Sequence, residues 1–114
     1  SRFFAVWTPA QLDSHRRAAE LVRDVAHGAF AEASSRIGAG RTVHEHELQG
    51  WIVDAFVRAG LEAPDHGPIV AASENAANPH YEPRAAHPRA IQAGDALLID
   101  LWARFPGGVH ADQT

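Results

Sequence analysis

At 114 residues, with a net charge of -4 and a pI near 6.0, the chain is sized for one domain and carries no basic excess to suit nucleic acid or an anionic membrane. It contains no Cys, which excludes disulfides, thiolate metal sites and a Cys nucleophile. No apolar run approaches the ~20 residues of a membrane span and Phe3–Trp7 is too short for a signal-peptide core, so the expectation is a soluble cytoplasmic protein, its missing initiator Met suggesting a processed or excised start.

Thr8-Pro9-Ala10-Gln11 predicts a helix start, with a Thr cap, Pro at the first helical position and Gln three residues after the cap. Apolar residues then recur at Leu12, Ala18/Ala19, Val22, Val25/Ala26, Ala29/Phe30 and Ala33, close to the 3.6-residue period. The helix is expected to end before Gly38-Ala39-Gly40. A second helix follows, with Thr42 as the expected cap, Glu45 completing the box, and Leu48, Trp51, Ile52, Ala55, Phe56 and Ala59 as the buried stripe. Gly60 is its expected stop. Within it, His44-Glu45-His46-Glu47-Leu48 falls short of a zinc-protease helix, which needs His where Leu48 stands. His44 and His46 are two apart and do not share a helix face, so they read as surface histidines near a helix start.

Leu61–Pro68 is a turn-rich connector, Ile69–Ser73 a short strand and Glu74–Pro79 a polar loop. His80–Pro83 is expected to be extended, because Pro83 disfavours helix at Glu82. Arg84–Arg89 is another loop, and Ile91–Asp95 turns the chain into the apolar run Ala96–Phe105, a buried strand. Helix, helix, then several strands is an α+β order, with two helices packed on one face of an antiparallel sheet.

Asp100 stands in the middle of that apolar run. An unpaired carboxylate there costs several kcal/mol, so it is expected to be neutralised, hydrogen-bonded or bound to a cation. After the turn at Pro106-Gly107-Gly108, a second strand carries Asp112, with His110 and Thr114 on its face by the two-residue alternation. A hairpin would bring Asp100 and Asp112 together, and two carboxylates sharing a space repel unless a proton or metal lies between them. The plainer readings are a buried Asp100 satisfied by backbone donors or an Arg, and an Asp112 that is polar edge surface.

Asn75-Ala76-Ala77-Asn78-Pro79-His80-Tyr81, then Gly94-Asp95-Ala96-Leu97-Leu98-Ile99-Asp100-Leu101, then Ala111-Asp112-Gln113-Thr114 together resemble the M24 metallopeptidases. These are the pita-bread-fold enzymes: methionine aminopeptidase, Xaa-Pro aminopeptidase and prolidase, with creatinase as a relative. Each motif alone is weak; the three in order, on a loop and two strands, are fairly specific. The resemblance implies half of a pita-bread fold over residues 1–114. It implies that Asp100 and Asp112 bind a pair of divalent metal ions, and that His80 lies beside them to contact substrate and stabilise the tetrahedral intermediate. Thr114 matches a Thr that supports the second Asp. Oxygen-rich ligation favours manganese, with cobalt, iron or zinc as alternatives. The implied partner is a peptide substrate losing its N-terminal residue, including one that precedes Pro.

Two departures bear on the pocket. Trp102 stands where most relatives have Gly, and the interval from Asp100 to Asp112 is one residue longer than the commonest spacing, which the Arg104–Gly108 turn could absorb. The family's other ligands, a His and two Glu, come from a second half that should follow Thr114. The chain alone is therefore expected to bind metal weakly and to lack peptidase activity. An uncovered sheet is also expected to associate, one arrangement being a homodimer with four aspartates around one site. The alternatives are a creatinase-like metal-free hydrolase with His80 as acid and base, and a non-catalytic binding module of the same fold. A His and two Glu downstream of Thr114 would separate the peptidase from the module.

Overall fold

Thr8 opens the first helix through two local bonds. The Gln11 N–H donates to Thr8 Oγ1 at 3.1 Å, and the Thr8 N–H donates to Gln11 Oε1 at 2.9 Å. With Pro9 at the first helical position, this cap starts α1, Pro9–Gly38, a rod of 30 residues. In the computed structural model the described residues are 8–62, 69–77, 83, 85–86, 88–103 and 111–113, with backbone alone at 69, 76, 77, 100, 102 and 111–113.

The buried stripe of α1 is Ala18, Val22, Val25, Ala26, Ala29 and Ala33, small residues that let neighbouring elements come close. The helix runs through Gly38, and Gly40, at φ 77°, turns the chain out of it. Arg36 in the last turn pairs with Glu32 at 2.7 Å, one turn earlier, and its charge complements the helix dipole.

The start of the second helix differs from the expected Thr42/Glu45 box. Val43–His44 forms a two-residue strand, β1, and α2 is Glu45–Arg58 with His44 as its N-cap residue. Glu47, not Glu45, reaches back: its Oε1 accepts the His44 N–H at 2.9 Å and also pairs with His44 Nδ1. The cause is non-local. Val43 and His44 pair antiparallel with Ile91 and Ala90 of β3, Ala90–Ile91, so the helix cannot begin until the ladder ends. The buried stripe of α2, Leu48, Ile52 and Phe56, is fully enclosed, each side chain contributing about 1.5–3 kcal/mol by leaving water. Trp51 packs across α1 where Gly28 leaves room; a Cβ at Gly28 would stand 2.9 Å from Trp51 Cη2.

The remaining strands are β2, Ile69–Ala72, β4, Leu97–Ala103, and β5, Ala111–Gln113. They form an antiparallel sheet in the order β2-β4-β5, separate from the β1-β3 pair. Ile69 pairs with Asp100 and Ala72 with Leu97; Leu101 pairs with Gln113 and Trp102 with Asp112. Val70, Ala72, Ile99, Leu101 and Ala103 are buried in one cluster with the stripes of both helices. The architecture is the expected α+β arrangement, two helices over a small antiparallel sheet, with a second strand pair at its margin. β2 stops one residue short of the expected Ser73. That residue has φ 46°, and its N–H turns to donate to Ala96 O at 2.7 Å.

Candidate metal centre

Alternation along β4 sorts its residues into two faces. Ile99, Leu101 and Ala103 belong to the buried cluster under the helices, so positions 98, 100 and 102 belong to the opposite face. Asp112 is the register partner of Trp102 and therefore shares that face. Asp100 is two residues from Trp102 on the same strand, which makes Asp100 and Asp112 diagonal neighbours with backbones about 7–8 Å apart. The hairpin expected from the sequence is thus present in its pairing, and it brings both aspartate positions to the sheet face away from the helix layer. Two adjacent carboxylate positions suit a hard divalent cation, because oxygen donors are its preferred ligands and its charge removes their mutual repulsion. Of the other expected site residues, His80, His110 and Thr114 lie outside the described residues, as does the turn at 104–110.

At the end of the strand pair where Ala72 meets Leu97, the segments that leave β2 and enter β4 carry a polar network. A 3-10 turn, Ser73–Ala77, follows β2. Ser73 Oγ donates to Asp95 Oδ1 at 2.7 Å, and the Gln92 N–H donates to Asp95 Oδ2, also at 2.7 Å. Arg89 bridges two carboxylates, donating to Glu74 Oε1 at 2.9 Å and to Asp95 Oδ2 at 3.1 Å, and it also donates to the Ala90 carbonyl. Hydrogen bonding from the Arg89 guanidinium holds Asp95 well below the usual carboxylate range, with the Gln92 N–H and the Ser73 hydroxyl adding to it. Glu74 is lowered by the same guanidinium, and Arg89 is raised in turn by both partners.

A second polar feature lies inside. Glu45, the first residue of α2, is 1% exposed. Its Oε2 accepts the Ala72 N–H at 2.6 Å, and Asn75 Nδ2 donates to both carboxylate oxygens at 3.2 and 3.3 Å. The sequence held a signal for this burial: Glu45 stands three residues before Leu48 and seven before Ile52, on the apolar stripe. His44 and His46, expected to point apart, instead stack with ring centroids 5.6 Å apart, because His44 lies outside the helix in extended backbone. Among the described residues, no group of three or more His, Cys, Asp or Glu could hold a metal ion.

The model of metallopeptidase family M24 matches residues 13–114. The chain belongs to that family. A protein of Mycoplasma pneumoniae named "Putative Xaa-Pro aminopeptidase" is 29% identical over 99 residues, which cover 87% of this chain and 25% of that protein. The chain therefore spans about a quarter of the length of the curated relative it matches. The M24 resemblance carried by the three sequence motifs is thus matched over nearly the whole chain. No described helix is long and apolar enough to cross a membrane.

Proposed function

We propose that residues 1–114 act as the first half of the catalytic domain of a dinuclear-metal aminopeptidase or dipeptidase that removes an N-terminal residue from a peptide, including one preceding Pro. The observation that carries this reading is the shared sheet face of Asp100 and Asp112, on adjacent strands and away from the helices. Family membership and the name of the Mycoplasma relative support it.

In this reading Asp100 and Asp112 would supply part of the ligand set of two divalent ions, with manganese suited to their oxygen donors. Such ions, when bound, lower the pKa of a water and polarise the scissile carbonyl. His80 donates a hydrogen bond to the oxyanion that develops on that carbonyl. Ionised aspartates present acceptors only, so their task is to hold and orient, while His80 carries the transferable proton. The opposite face of the aspartate strand β4 is packed in the buried cluster beneath α1.

The test is cleavage of an Xaa-Pro peptide by the complete protein carrying this chain, with and without manganese. Loss of an outer partner of a metal site costs about 10–100-fold. Asp100→Ala and Asp112→Ala, which remove direct ligands, are therefore expected to cost at least about 100-fold, while the 114-residue chain alone is expected to be inactive. Full activity in either variant would overturn the reading.

A further inference from the structure

We propose that Glu45 is a positioning residue for the reaction, a buried carboxylate that clamps the chain as it leaves β2 toward His80; this rests on the peptidase reading above. Burying a carboxylate is costly unless its oxygens are hydrogen-bonded. Glu45 is 1% exposed and faces two donors on two successive elements, the Ala72 N–H at 2.6 Å and Asn75 Nδ2 at 3.2 and 3.3 Å. Both belong to the exit from β2. Ala72 is its last residue, paired with Leu97, and Asn75 is central in the Ser73–Ala77 turn.

The chain between these donors is in an uncommon conformation. Ser73 has φ 46°, which a non-glycine residue adopts only when its surroundings compel it. Its own bonds, to Ala96 O and Asp95 Oδ1, pull it toward the start of β4. Glu45 pulls its two neighbours toward α2. The kink is thus held from both sides, by the strand that bears Asp100 and by the helix beneath it. His80 follows Asn75 by five residues in sequence. A carboxylate suits this task because it can accept from the backbone and from the Asn75 amide together, with charge-assisted bonds at both.

The chemistry supplies a reciprocal test. Asn75→Asp sets two carboxylates against each other, and Glu45→Gln with Asn75→Asp exchanges the partners while retaining an acceptor for the Ala72 N–H. In the complete protein, Asn75→Asp is expected to lower kcat by about 10–100-fold, as misplacement of a reacting group does, with KM within about threefold. The exchanged pair is expected to recover most of that loss. A parallel readout is hydrogen exchange of backbone amides 72–77, at least about tenfold faster in Asn75→Asp and restored by the exchange, because a charge-assisted bond has been lost and regained. Unchanged kcat in Asn75→Asp, KM moving with kcat, or no recovery in the exchanged pair would overturn the positioning role. If the unsubstituted protein cleaves no peptide, the peptidase reading fails. Amide exchange then decides the clamp separately: faster exchange with recovery supports it, and unchanged exchange overturns it.

Discussion

Asp95, Glu74 and Glu47 each have a proton affinity lowered by a bond that exists only in the folded chain: Arg89 for the first two, His44 for the third. A carboxylate depressed in this way adds stability above its unfolded pKa, about 4, and that stability is lost as pH falls through the folded value. The urea midpoint is therefore expected to be flat from about pH 7 to pH 5 and to decline below about pH 4. Arg89→Met removes the partner of Asp95 and Glu74 together, so its decline should be shallower than that of the parent protein. An equally steep decline in Arg89→Met would mean that this network does not carry the acid sensitivity. The network itself was not legible in the sequence, because Ser73, Glu74, Arg89 and Asp95 meet only after β2 and β4 pair. Glu45 was more nearly legible, since the helical period already placed it on the apolar stripe. The competing local grammar of a capping box drew the assignment away.

Among the elements, the start of α1 was readable because its signal is contained in four consecutive residues, Thr8 to Gln11. The start of α2 was not, because β3 captures Val43 and His44 from about 46 positions away in the chain. A two-residue strand such as β3 has no period of its own and is defined by its partner alone. The packing of α1 on α2 turns on Gly28, whose lack of a side chain admits the Trp51 ring. Gly28→Leu is expected to destabilise the fold by about 1–3 kcal/mol through overpacking. Gly50, also helical, has no neighbour within 4 Å of an added Cβ, so Gly50→Ala should stabilise by about 0.5–1 kcal/mol. Both values follow from urea unfolding. A neutral Gly28→Leu would show that the helices do not need this close approach.

For the molecule as a whole, the sheet has two unlike faces. One is the buried floor beneath α1 and α2, formed by Ile99, Leu101 and Ala103 with Val70 and Ala72. The other carries the Asp100 and Asp112 positions, on adjacent strands and diagonal in register. This division was not legible in the sequence, because Ala96–Phe105 reads as one continuous apolar run and Leu98 and Trp102 share the face of Asp100. The register that makes the two aspartates diagonal neighbours could come only from the paired strands. The measurement that bears most directly on the metal reading is calorimetric titration of manganese into the complete protein, compared with Asp100→Ala and Asp112→Ala. Saturable binding by the parent that is lost in both variants, with both still folded by circular dichroism, is the expected result. Equal binding by the parent and either variant would contradict the assignment of that aspartate as a ligand.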